Sequence, residues 1–123
     1  MKKLIIASVI GAIALSGCAQ NTHAYPDTYR SVEELRDAFV QAGGDCPNWE
    51  QSNQVKLAAE SGTCSSTNVL SIYTSSASKD EVIATLKSLG MEGLSLLAGD
   101  NWIINDPEVK NLDTAIGGVL VTS

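Results

Sequence analysis

Side chains able to do covalent or acid–base chemistry are scarce in this sequence: three cysteines (Cys18, Cys46 and Cys64) and one histidine, His23. Acyl transfer needs a nucleophile with a base beside it. Beyond His23 the chain has no further histidine and no Gly-x-Ser-x-Gly turn. Glycosidic hydrolysis needs two carboxylates across a cleft; Glu60 and Asp100 are arguable candidates, though nothing in their spacing singles them out. Asp100, Asn101, Asn105 and Asp106 bracket a short apolar stretch and carry oxygen ligands suited to calcium. They lack the close D-x-[DN]-x-[DN]-G spacing of a calcium loop, and turn and cap chemistry accounts for all four. The expectation is a protein that is not an enzyme, with no metal and no dissociable cofactor.

The strongest chemical signal lies at the start of the chain. Lys2 and Lys3 precede an almost wholly apolar run from Leu4 to Leu15, followed by Ser16-Gly17-Cys18. A positive n-region before an apolar run of this length is the pattern of an export leader. A permanent span needs about 20 apolar residues, so the run is too short to remain in a bilayer as one. Leu15-Ser16-Gly17-Cys18 resembles the bacterial lipobox: a branched residue three places before the cysteine, then small residues. The resemblance implies that the Cys18 thiol takes a diacylglyceryl group, that residues 1–17 are cleaved, and that the new amino terminus gains an amide-linked acyl chain such as palmitate. Two or more chains give stable anchoring, where one alone is marginal. The expected location is the extracytoplasmic face of the cell membrane. In a Gram-negative host, Ala19 in place of aspartate points by resemblance to the outer membrane.

With Cys18 assigned to lipid, an odd cysteine count becomes an even one. Cys46 and Cys64 outside the cytoplasm then read as a disulfide. A metal pair wants further Cys or His ligands, and His23 lies in the tether; a redox pair usually reads Cys-x-x-Cys. Trp49, in Cys46-Pro47-Asn48-Trp49-Glu50, is either a lid over this bridge or an exposed anchor for a partner, the lid being the commoner arrangement. If the protein has a binding hot spot, Trp49 is the first candidate. Trp102, in Trp102-Ile103-Ile104, reads as core.

The 123 residues hold 8 Lys and Arg against 14 Asp and Glu, a net charge of −6. Loss of Lys2 and Lys3 with the leader leaves 6 against 14, a net charge of −8 over 106 residues. Nucleic acid is excluded as a partner, because phosphate is held by clustered Lys and Arg. An acidic body is repelled by an anionic leaflet, so lipid rather than surface charge holds it at the membrane. The charge serves solubility and, in a sharper reading, favours a basic partner.

The remaining chain must position whatever site exists. Residues 18–30 are polar around Pro26 and read as a lipidated tether, on which Tyr25 and Tyr29 are able to dock back. The folded domain is expected over residues 31–123. Ser31-Val32-Glu33-Glu34 and Ser78-Lys79-Asp80-Glu81 are capping boxes. The first helix carries Val32, Leu35, Phe39 and Ala42 before Gly43-Gly44; the second carries Val82, Leu86 and Leu89 before Gly90. Asp106-Pro107 predicts a third helix bearing Val109, Leu112, Ala115 and Ile116. Strands are predicted over Val55–Ser65, Val69–Thr74, Leu94–Leu97, Trp102–Ile104 and Val119–Val121. Trp102-Ile103-Ile104 has no polar alternation and suits a strand covered on both faces. The expected fold is a small single α+β domain in α-ββ-α-ββ-α-β order, with three helices packed on an antiparallel sheet and one disulfide.

Ala59-Glu60-Ser61-Gly62-Thr63-Cys64, the β-rich run to Thr74, and Gly99-Asp100-Asn101-Trp102-Ile103-Ile104 together resemble small lipoproteins of actinobacteria, over most of residues 31–118. The resemblance implies location and fold and supplies no active site. The expected function is a lipid-anchored, non-enzymatic, extracytoplasmic domain that binds a protein or envelope component. Small temperate-phage lipoproteins of similar layout suggest an alternative, a superinfection-exclusion factor or inhibitor of a basic protein. A carboxylate-dependent hydrolase is the third reading.

Overall fold

The computed structural model describes residues 26–90 and 92–123. Helix α1 (Val32–Gln41) begins where its capping box predicts: the Ser31 hydroxyl accepts the Glu34 backbone N–H at 3.2 Å. The Glu34 carboxylate reaches one residue beyond the cap and accepts the Arg30 backbone N–H at 2.9 Å. That bond, helped by the Arg30 guanidinium, holds the Glu34 carboxyl below its ordinary value. Val32, Leu35, Ala38 and Phe39 form the buried stripe. Helix α2 (Ser76–Ser88) is capped by Ser75, not by Ser78: the Ser75 hydroxyl accepts the Ser78 N–H at 3.1 Å. Ser76 and Ala77 thus join the first turn. Val82 and Leu86 are half-buried with Ile83, whereas Leu89 falls at the cap and is 66% exposed.

Six antiparallel strands form one sheet in the order β1-β2-β3-β5-β4-β6. They are β1 (Glu50–Gln51), β2 (Glu60–Ser65), β3 (Asn68–Ile72), β4 (Ser95–Ala98), β5 (Trp102–Asn105) and β6 (Val119–Thr122). Two hairpins, β2–β3 and β4–β5, meet through their second strands, so β3 and β5 lie at the centre. The short β1 was not predicted. The first predicted strand is shortened to Glu60–Ser65, because Leu57 takes a φ of 71° and the Ala58 N–H closes a turn onto the Val55 carbonyl. Between β2 and β3 the register shifts. There the Asn68 side-chain oxygen accepts the backbone N–H groups of Cys64 and Ser65, at 2.8 and 3.0 Å. A side chain thereby satisfies buried donors that the irregular ladder leaves over.

The three-helix architecture is corrected by the segment after Asp106. Instead of a third helix, it forms a 3₁₀ turn at Val109–Asn111 and a single α turn at Asp113–Ile116. Asp106 closes a local turn, accepting the Glu108 N–H at 2.7 Å, and neither short turn that follows has a side-chain cap. The run is too short for helix nucleation to be repaid locally, and Asn111 and Asp113 are poor helix-interior residues. Burial of Val109, Leu112 and Ile116 therefore sets the backbone path. The domain has two helices, α1 and α2, on a six-stranded antiparallel sheet with one disulfide.

Alternation along β3 and β5 divides the core. Leu70, Ile72, Trp102 and Ile104 join the α1 side, with Val109, Leu112 and Ile116. Tyr73, Leu96, Ala98 and Ile103 form a smaller cluster on the other side, against Val82, Ile83 and Leu86 of α2. The Tyr73 phenol, 3.0 Å from the Ser71 hydroxyl, is buried there, and desolvation raises its pKa. The neutral form is therefore the favoured one in the fold. Its stabilisation is complete below the ordinary phenol range and is lost as pH climbs through that range towards the raised value. Tyr73→Phe should flatten the alkaline fall of the urea midpoint; an unchanged fall would assign it to other groups.

Candidate functional site

Cys46, in the loop leaving α1, and Cys64, on β2, form a disulfide with Cα atoms 4.4 Å apart. The Asn48 N–H donates to the Cys64 carbonyl at 3.1 Å, which lays the loop along β2 and leads it into β1. Trp49 is half-buried on the α1-side cluster beside Cys46. The Arg36 guanidinium, from α1, sits 5.3 Å from the indole centroid, a cation–π geometry. The other constraint is Gly62: a Cβ there would collide with the Trp49 ring. Sequence spacing gives no sign of either Arg36 or Gly62 as a neighbour of Trp49.

The arguable catalytic carboxylates are not brought together. Glu60 turns towards α1 and accepts the Val32 N–H at 2.9 Å, where a carboxylate meets the positive end of the helix. Asp100 is exposed in the β4–β5 turn, two strands away. The oxygen-bearing quartet is also divided. Asn105 ends β5, and Asp106 accepts from the Asn68 side chain at 3.3 Å in a hollow of ≈390 Å³. Among the described residues, no group of three His, Cys, Asp or Glu is placed to hold a metal ion.

Asn101 holds the approach of the chain to the domain. Its side-chain oxygen accepts the Tyr29 N–H at 3.0 Å, and its amide donates to the Tyr29 carbonyl at 2.8 Å and the Tyr73 carbonyl at 3.3 Å. Tyr29 is 4% exposed and meets Trp102 edge-on, with ring centroids 6.0 Å apart. The Trp102 indole N–H donates to the Asp27 carbonyl at 3.1 Å. Packing thus begins ahead of residue 31, inside the stretch expected to be tether. Tyr25, His23, Cys18 and the Leu15-Ser16-Gly17 lipobox lie outside the described residues.

Beside this clamp opens a concavity of ≈670 Å³ between α2, the β4–β5 turn and β6. Its lining combines the apolar side chains of Ile83, Ala98, Trp102 and Val119 with Asp27, Asp80, Asp100 and Lys79. Lys79 is committed to Asp80 at 2.7 Å. The arrangement offers shape, apolar area and negative charge, which suit binding.

Comparison with protein-family models, curated proteins and solved structures finds no match. No helix among the described residues is long and apolar enough to cross a membrane.

Proposed function

We propose that this chain is a lipid-anchored extracytoplasmic domain, held at the membrane through Cys18, that binds a protein or envelope partner without catalysing a reaction. The observation that carries the reading is the order Lys2-Lys3, an apolar run to Leu15, and Ser16-Gly17-Cys18. The Cys46–Cys64 disulfide supports it, because such bridges persist in oxidising compartments. Pairing of these two also leaves Cys18 as the odd thiol, consistent with a separate chemical fate.

The test is metabolic labelling with an alkyne-bearing fatty acid, followed by intact mass of the purified chain. The wild type should take up label and begin at a diacylglyceryl Cys18. The Cys18→Ala variant should take up none and should retain residues 1–17. Equal labelling of the two would overturn the anchor.

A further inference from the structure

Between β1 and β2 the chain closes a four-residue turn, Val55-Lys56-Leu57-Ala58, with the Ala58 N–H on the Val55 carbonyl at 3.3 Å. Leu57 takes its third position with a φ of 71°, a place that glycine or asparagine usually fills. A side chain of this size is strained there. Surrounding bonds impose the shape. The Ser61 hydroxyl accepts the Val55 N–H at 3.1 Å, and the Ser61 carbonyl accepts the N–H groups of Ser52 and Asn53. Leu57 belongs to neither core cluster and is 63% exposed. Among the described residues, the large apolar side chains that stand in solvent are Val40, Leu57, Leu89, Val119 and Leu120; Leu57 alone does so from a left-handed backbone. Glycine would close this turn with less strain, so the fold itself gives no reason for leucine.

The turn stands at the end of the domain where the chain enters. The Ala59 N–H donates to the Ile72 carbonyl and the Tyr73 N–H to the Asn101 carbonyl, each at 2.8 Å, and Asn101 holds Tyr29. Glu60, three residues beyond Leu57, accepts the Val32 N–H at the start of α1. From Cys18 to Asp27 the chain spans at most about 30 Å, so an anchor at Cys18 keeps this end within that distance of the bilayer. Leu89 is as exposed as Leu57, at 66%, but lies at the opposite end: α2 leaves the Ile72 end of β3 and delivers the chain to the start of β4, beside Asn105. We infer that Leu57 is a second membrane contact, set into the boundary between headgroups and acyl chains, with the Lys56 ammonium reaching lipid phosphates. Asp27 and Asp100 lie at the same end, so overall charge does not draw it to an anionic leaflet. One leucine is too little to hold a free protein at a membrane. Tethering makes the contact intramolecular, and a weak interaction then sets the orientation. The inference rests on the reading of Cys18 as lipidated and adds which end of the domain faces the membrane.

The experiment purifies the lipidated chain, verifies the Cys18 adduct by mass, and places it in vesicles of phosphatidylethanolamine and phosphatidylglycerol, with or without bromine on the acyl chains. In brominated vesicles Leu57→Trp should lose the emission that its added indole contributes, whereas Leu89→Trp and the wild type should keep theirs. Adding Lys56→Glu to Leu57→Trp should restore part of the lost emission. Leu57→Gly should melt no lower than the wild type, because it removes the strain. The inference is overturned by an unquenched Leu57→Trp, by equal quenching at positions 57 and 89, or by quenching that Lys56→Glu leaves untouched. It is also overturned if Leu57→Gly lowers the thermal midpoint by about 4 °C or more, since the side chain then serves the fold. A chain without diacylglyceryl at Cys18 overturns the anchor and this contact together; a lipidated chain whose residue 57 stays in water overturns the contact alone.

Discussion

Replacing Trp102 with alanine should destabilise the domain by about 3–5 kcal/mol, the range for deleting a large buried aromatic side chain. The ring is 1% exposed and is enclosed by backbone as well as side chains. A Cβ on Gly99 would collide with it, and Gly118 closes in from the start of β6. Walls made of turn backbone cannot collapse far into the space a missing indole leaves. The variant also loses the N–H donated to the Asp27 carbonyl and the edge contact with Tyr29. Urea unfolding followed by Trp49 fluorescence should show the loss, and trypsin should cut sooner at the exposed Arg30 as Tyr29 loosens. A loss under about 1 kcal/mol would mean that the surrounding residues refill the site.

The double variant Cys46→Ala with Cys64→Ala should lose about 3 kcal/mol, the chain-entropy value for a bridge closing a loop of this length. The two cysteines are separated by 18 positions, and the loop between them contains Trp49 and β1. Without the bridge this loop is held by Asn48, the two residue pairs of β1 with β2, and the indole seated on Gly62. The loss should therefore be accompanied by faster exchange at Glu50 and Gln51, while β3 and β5 keep their protection. Urea midpoints with and without reductant check the same quantity in the wild type. Identical midpoints would assign the stability of this region to the side chains alone.

What the sequence discloses depends on whether the signal is local. Ser31 capped its helix because the cap and the donor it satisfies are three residues apart. Trp102-Ile103-Ile104 read as a strand covered on both faces because its pattern contains no polar residue, and the two clusters meet on that strand. Val109, Leu112 and Ile116 carry helical spacing, yet the core needed only their burial, and a 3₁₀ turn with one α turn provides it. Ser78 matched a capping box as well as Ser31 did; Ser75, three residues earlier, offered the same hydroxyl and one more turn. The contacts that shape the candidate surfaces are long-range. Arg36 on Trp49, Glu60 on Val32, and Asn101 on Tyr29 join residues from separate elements. No period or motif encodes such pairs, because each depends on which strands become neighbours.

The clamp between Asn101 and Tyr29 has a mechanical consequence. Tension applied at residue 26 meets Asp27 and Tyr29 before it meets α1. There it loads both backbone groups of Tyr29, a seated phenol ring and the indole N–H of Trp102 together. Because these grips attach to the β4–β5 turn and to β5, tension is passed directly into the sheet. A pull entering the domain at this point is borne without first unwinding the helix that follows.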